Sequence, residues 1–469
     1  MRLPVQIRAS ARVPFRNTQA RIRNERDRSG YPARANLMRM RLIVAGVGVL
    51  SLLAALSFTT EMLQAQKSDV DLPSDAPQRP FTPEHGRLRV KGRQFYDADN
   101  RVWRWRGTSQ FLLFARYLNG YDITPVLDWL VLRGFNVVRV FGQVPGGFGA
   151  DLHGMPNYQR PFERPDFDAR LHAFFSLLAD RGLRVEYVPL TYRDDLAVMQ
   201  THVQRVYDIA QAHWNVLVEV GNEPEYNQID VVTVMQGVNR HGVLSAYGLD
   251  PARDTTDTLK NHPVLDYGTA HDLERDFQRS PRITKDAWDW QNRFGVPFVS
   301  DEPIGFIDPG HPDFVARGTD PTGAALFGGV YGGGARTTNC DVILSAAAIA
   351  YLLTPGYTFH MQAGLEGWRP SDSEELQDAC AKSLAGIAAF IPRDAQLGVY
   401  VEPGLGDFGL AWKGGAHAES LVDRAYGVVL GTQQWVVVPM PAPNWSPTPA
   451  NGWRIDAVGP VPYVLRLAK

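Results

Sequence analysis

The sequence predicts an α/β chain built around a (β/α)8 barrel, with a small C-terminal antiparallel β appendage and an N-terminal export segment. Two observations carry this. Helical stretches alternate with short apolar strands about eight times between Val102 and Met361, which calls for parallel strands joined by right-handed crossovers. After Pro392 the pattern changes to short strands separated by Gly and Pro, the mark of an antiparallel module. An open, doubly wound sheet fits less well, because no GxGxxG follows the first strand.

Residues 1–65 read as a basic leader followed by an export signal or anchor. The first 41 residues are rich in Arg against only Glu25 and Asp27, and the apolar run Leu42 to Phe58 follows, with Ala65 before Gln66 as a cleavage site. Met38 or Met40 as the start would give a conventional signal. The run is at the short limit for a bilayer span, so a cleaved signal and a retained anchor both stay open, and export to the periplasm or outside is expected. Residues 66–85, rich in Pro and Asp, form a linker.

Residues 86–392 are the predicted barrel. It opens with a β-hairpin, LRVKGRQFYDADNRVWRWRG, whose turn is Asp97–Asn100. Helix VLDWLVLRG leads to strand FNVVRVF, and FDARLHAFFSLLADRG, with Leu171, Phe174, Phe175 and Leu178 at helical spacing, leads to LRVEYVPL. VQRVYDIAQAHW leads to NVLVEVGNEP, ITKDAWDWQNRFG to VPFVSDEP, and DVILSAAAIAYLLTPG to YTFHM. GGVYGGGA lacks the Lys-Ser/Thr ending of a phosphate-binding loop and reads as a surface loop. Residues 393–469 form the β-rich appendage.

Composition narrows the chemistry. A formal charge of −2 across 469 residues gives no general reason to expect nucleic acid. The two cysteines, Cys340 and Cys380, form no CxxC or Cys/His cluster, so no zinc or redox site is expected, and their pairing stays open. No metal or organic cofactor is implied.

In a barrel of this kind, active sites form at the C-terminal ends of the strands. Glu223 ends one apolar strand, in VEVGNEPEYN, and Glu302 ends another, in VPFVSDEP, about three β/α units later. That spacing faces two carboxyls across the barrel mouth. Two carboxyls flanking one bond are what glycoside hydrolysis needs: one protonates the leaving oxygen while the other attacks the anomeric carbon or activates water.

Asn222-Glu223-Pro224 after an apolar strand, with Glu302 ending a later one, resembles the clan A retaining glycoside hydrolases, cellulase-like family 5 and its neighbours. RQFYDADNRVWRWRGTS resembles their first hairpin and strand, and GFNVVRVF their second strand. The resemblance spans residues 86 to 370. It implies Glu223 as acid/base, Glu302 as nucleophile and Asn222 as the amide that bonds the sugar 2-hydroxyl. It also implies Arg139 as the cation that keeps Glu302 ionised, and His271 as the histidine of the sixth strand. Trp368 takes the place of the tryptophan after the eighth strand. Leu273 stands where the clan commonly has tyrosine, and the third strand ends in Pro189-Leu190-Thr191-Tyr192 rather than histidine. The expected function is that of a retaining β-glycosidase acting as a monomer on a poly- or oligosaccharide. A transglycosylase on the same scaffold and a non-catalytic carbohydrate-binding envelope protein are the rivals.

Blander readings stand beside these. Glu219 shares the strand phase of Glu223 but sits deeper and reads as a paired structural charge. Asp301 becomes the working carboxylate if the strand phase slips by one. Trp368, Tyr192, Tyr226 and Phe111 suit sugar stacking or wall packing equally.

Overall fold

The computed structural model describes residues 86–144, 160–225, 227–249, 266–271, 280–306, 314–319, 325–329, 336–337, 347–348, 350–360, 374–391, 399–401, 426–430, 433–437, 454–458 and 464–468. The leader, the apolar run 42–58, the linker, Tyr226, Cys340 and Trp368 lie outside them. No described helix is long and apolar enough to cross a membrane.

Eight strands close into a parallel ring: β1 (Trp105–Ser109), β2 (Val137–Phe141), β3 (Arg184–Val188), β4 (Val216–Asn222), β5 (Ser245–Leu249), β6 (Gly268–His271), β7 (Phe298–Phe306) and β8 (Gly356–His360). Each pairs with the next, and β8 closes onto β1 with Gly356 opposite Trp105. This is the predicted (β/α)8 barrel.

The strands are legible as alternating apolar positions. Val138, Val140, Val185, Val218, Val220 and Phe298 pack outward, in the same core as Leu171, Phe174, Phe175 and Leu178 of the helix Phe167–Ala179. That helix buries the side chains whose spacing predicts it. Val137, Leu217 and Val299, on the opposite strand phase, belong to a separate cluster inside the barrel.

The N-terminal hairpin closes the lower end of that interior. Gln94–Tyr96 pairs antiparallel with Val102–Trp103 around the predicted turn. There Asp97 Oδ1 accepts the Arg101 amide at 2.9 Å and Asn100 takes φ 62°. Phe95 and Trp105 each meet Tyr267, Trp103 and one another in edge and tilted ring contacts with centroids 5.5–6.1 Å apart, together with Leu217, Ala246 and Val299. These residues stand at or near the strands' N-terminal ends, so the lower layer is apolar and the chemistry is left to the upper end.

The seam between β8 and β1 requires glycine at position 356. A Cβ at Gly356 would lie 1.8 Å from the Trp105 carbonyl oxygen, against backbone that must stay to keep the Trp105 amide on the Pro355 carbonyl at 2.9 Å. Gly356→Ala is therefore expected to destabilise the barrel by about 1–3 kcal/mol or more, read as a lowered chemical-denaturation midpoint.

Two features add to the barrel. β7 runs on past its neighbours, and its end pairs in parallel with Arg336–Thr337, which continues through Ala325–Gly329 to Phe314–Thr319 as antiparallel strands. The first two glycines of GGVYGGGA thus end a strand rather than begin a loop, and the rest lies outside the described residues. The C-terminal appendage is a five-stranded antiparallel sheet of Val399–Val401, Tyr426–Leu430, Gln433–Val437, Val464–Ala468 and Arg454–Val458. These are the short antiparallel strands expected after Pro392. The stretch FGLAWKGG, between Val399–Val401 and Tyr426–Leu430, lies outside the described residues.

Candidate active site

The middle layer of the barrel interior is charged where barrels usually place branched apolar residues. Arg139, at the centre of β2, is fully buried. Its Nε donates to Glu219 Oε2 at 2.6 Å and its Nη2 to Glu219 Oε1 at 2.7 Å, a two-pronged grip on one carboxylate from β4. Nη2 also donates to Asn222 Oδ1 at 2.8 Å, and Nε lies 3.0 Å from Asp301 Oδ2 on β7. Glu186 Oε2, on β3, lies 4.0 Å from Nε. Phe111 and Phe141 flank the guanidinium, their ring centroids 5.5 and 5.4 Å from Cζ. Phe111 stacks on Phe141 at 4.2 Å and is 3% exposed, so it is wall and not a sugar platform.

Glu219 is the paired structural charge its depth predicts. Its phase relative to Glu223 is different from the expectation, because the strand is not regular between them. Pairing with β5 runs Glu219 opposite Ala246 and then Asn222 opposite Gly248, which puts one extra residue into β4. Strict alternation from the inward Glu219 would aim Asn222 outward. The bulge turns it inward to Arg139. Arg139 holds Oδ1, so the Asn222 amide NH2 is left as the donor on the other side.

Glu223 follows with φ 41°, a left-handed backbone rare for a residue with a side chain. Such a conformation costs about 1–3 kcal/mol and persists only where its surroundings hold it. Here the Asn227 amide donates to the Glu223 carbonyl at 2.9 Å, and Asn227 Nδ2 donates to the Asn222 carbonyl at 2.7 Å. The Ile229 amide closes the turn onto the Pro224 carbonyl at 2.7 Å. Glu223 is half-buried at the strand end. Asn227 closes the quoted motif in sequence and is a supporting residue that motif reading passes over.

β7 carries a second irregularity at the matching place. Asp301 pairs with His271 of β6 and with Thr358 of β8, and pairing with β8 resumes only at Gly305 opposite His360. Two extra β7 residues fall in this interval, which begins at Glu302. Strand phase places Asp301 inside the barrel, fully buried against Arg139, so it belongs to the charged layer. The His271 backbone stands at the end of β6, whereas that of Glu302, expected to end its strand, stands in the middle of β7, which runs on to Phe306; their side chains, and with them the expected link from Arg139 to Glu302, lie outside the described set.

Tyr192 sits on the same rim. The Asn222 amide donates to the Leu190 carbonyl at 2.9 Å, and Leu190 bridges Gly221, so the segment leading to Tyr192 runs beside the end of β4. Tyr192 is half-buried, and burial, assisted by Asp194, pushes its hydroxyl up to about 12. Ser109 Oγ and Gln110 Oε1, at and just past the end of β1, are buried without a partner among the described residues. Ser109 closes the quoted stretch RQFYDADNRVWRWRGTS and Gln110 follows it, but the resemblance assigns neither a role.

The carboxylate oxygens of Glu186, Glu219 and Asp301 lie within 4.8 Å of one another. Arg139, hydrogen-bonded to Glu219 and 3.0 Å from Asp301 Oδ2, supplies one positive charge to this cluster.

No family model matches the chain, and no curated protein matches it. Solved structures do. One described as a glycoside hydrolase is 11% identical, with a TM-score of 0.50 over 75% of this chain and 83% of its own. A glycoside hydrolase family 5 protein from Bacteroides vulgatus is 12% identical, with a TM-score of 0.49 over 81% and 93%. An endo-1,4-beta-mannanase from Rhizomucor miehei is 12% identical, with a TM-score of 0.43 over 65% and 100%. At these identities the likeness is one of fold: the chain is a (β/α)8-barrel protein.

Proposed function

We propose that the chain is a retaining glycoside hydrolase that cleaves β-glycosidic bonds of a poly- or oligosaccharide through a covalent glycosyl-enzyme intermediate. One observation carries the reading: the bulged end of β4 turns Asn222 onto Arg139 and holds Glu223 in a costly left-handed backbone at the barrel mouth. Strain retained at a polar strand end on the functional face of the barrel is the signature of a site rather than of packing.

In this reading the Glu302 carboxylate attacks the anomeric carbon as the bond to the leaving oxygen breaks, and Glu223 gives that oxygen its proton. A water then attacks the same carbon, Glu223 takes the water's proton, and the bond to Glu302 is released. The Asn222 NH2, oriented by the Arg139 bond to Oδ1, donates to the sugar 2-hydroxyl as positive charge develops on the ring. His271, Tyr192 and Trp368 are assigned to substrate contact, and no cofactor enters.

The test is a panel of poly- and oligosaccharides assayed for new reducing ends, followed by Glu302→Gln and Glu223→Ala on the substrate found. Loss of turnover in both supports the reading, whereas unchanged hydrolysis in both overturns it. Glycan binding without turnover by the wild type would instead make the chain a carbohydrate-binding envelope protein. Products longer than the substrate at high acceptor concentration would make it a transglycosylase. Asn227→Ala is expected to lower kcat/KM about tenfold, roughly the worth of one hydrogen bond, with little change in the denaturation midpoint. Export through residues 42–58 is part of the proposal, and N-terminal sequencing of the exported protein tells anchor from cleaved signal.

A further inference from the structure

Three carboxyl groups and one guanidinium share the closed middle layer, all of them fully buried. With every carboxyl ionised the layer would hold a net charge of −2, a burial that proteins avoid by neutralising a group. The geometry identifies which one. Glu219 takes both prongs of Arg139, and Asp301 Oδ2 lies within ion-pair distance of Nε at 3.0 Å. Glu186 is left at 4.0 Å, its Oε1 accepting the Tyr267 hydroxyl at 3.0 Å and its Oε2 making no hydrogen bond among the described residues.

We propose that Glu186 is a positioning residue that carries a proton through the neutral range, so that Arg139 stays committed to Glu219, Asp301 and Asn222. The charged and titratable groups facing it are Glu219 from β4, Asp301 from β7, Arg139 from β2 and Tyr267 from the segment leading into β6. Burial first, then the Glu219 and Asp301 charges, push the Glu186 carboxyl well above its ordinary 4.5; Arg139 and Tyr267 pull the other way without reversing it. Burial also raises the Tyr267 hydroxyl well above its usual 10.0, so it remains a donor. Ionised, Glu186 would compete for the guanidinium that orients Asn222. The device is a buried acid whose job is to stay uncharged. It acts through Arg139 and touches no substrate.

A group that keeps its proton more tightly folded than unfolded contributes stability that is full below the unfolded value, near 4.5, and is lost as pH rises toward the folded value. Glu186→Gln has no proton to lose. Its denaturation midpoint is therefore expected to gain on the wild type steadily as pH rises from about 4.5. In infrared spectra at neutral pH, the wild type is expected to show the C=O band of a buried, protonated carboxylic acid, absent from Glu186→Gln. Tyr267→Phe removes a bond that favours the ionised form, so its band should persist to higher pH than in the wild type. These measurements need no substrate and stand even if the glycosidase reading fails.

On the glycosidase reading, the ratio of Glu186→Gln to wild-type kcat rises with pH, since any limb due to Glu223 cancels in the ratio. Glu186→Ala, which leaves the Tyr267 hydroxyl unpaired, should lose kcat where Glu186→Gln retains it. A Glu186→Gln stability curve parallel to the wild type, or identical carboxylic-acid bands in the two, would overturn the proposal.

Discussion

Glu223→Ala is expected to lower kcat on a natural glycoside about 10²–10⁴-fold, the range for losing a positioned general acid and base. KM should change little, because in the proposed mechanism the half-buried carboxyl at the β4 end acts on the leaving oxygen and the incoming water rather than on sugar hydroxyls. The two half-reactions separate the roles. With an aryl glycoside whose leaving group departs without a proton, attack by Glu302 survives and release stalls. The variant then shows a burst of aryl alcohol followed by a slow steady state. Azide, which needs no base, should restore turnover and yield a glycosyl azide of the substrate's own anomeric configuration. Stopped-flow release of the aryl group measures both. A uniform loss with no burst and no rescue would assign Glu223 to packing.

Arg139→Met is the second large effect, and it falls on stability. The substitution leaves Glu219 without either of its bonds at 2.6 and 2.7 Å and Asp301 without its partner at 3.0 Å, in a layer with no exposure. Removing one partner of a buried pair costs about 3–5 kcal/mol, because the remaining charge stays desolvated. Arg139→Lys keeps the charge but cannot reproduce the two-pronged geometry, so it should fall between the wild type and Arg139→Met. The double variant Arg139→Met with Glu219→Leu should recover part of the lost stability, since the stranded carboxylate goes with its partner. It should not recover turnover, because Asn222 still lacks the bond that orients it. Urea denaturation paired with kcat/KM on each variant checks all three.

The barrel was legible because its outer strand faces and helices carry apolar residues at spacings of two and of three to four, as in Phe167–Ala179 and Val137–Phe141. The hairpin was legible from its turn residues. β5 passed unmarked: SAYGL is short and contains glycine, and only its neighbours make it a strand. The strands built onto the end of β7 were hidden for a similar reason, since Phe314–Thr319 and Ala325–Gly329 contain glycines that read as loop. The strand-end residues Asn222 and Glu223 were visible as a motif, but their aim was not. A bulge is a pairing event between strands, and one extra residue in β4 separates the phase of Glu219 from that of Asn222. The Glu186–Arg139–Glu219–Asp301 layer assembles from four strands, so no local pattern announces it. The resemblance pairs Arg139 with Glu302, whose side chain lies outside the described set; the bonds from Arg139 to Glu219 and Asn222 and its pairing with Asp301 join residues from separate strands and leave no local trace in the sequence.

The most direct test of the account is to trap the intermediate. A 2-deoxy-2-fluoro glycoside with an activated leaving group, made from whichever sugar the panel identifies, slows release more than attack. The intact mass should then rise by one fluoroglycosyl unit, and peptide mapping should place it on Glu302, with no label on Glu302→Gln. A label on Asp301, or rapid hydrolysis of the parent glycoside with inverted product and no label anywhere, would contradict the account.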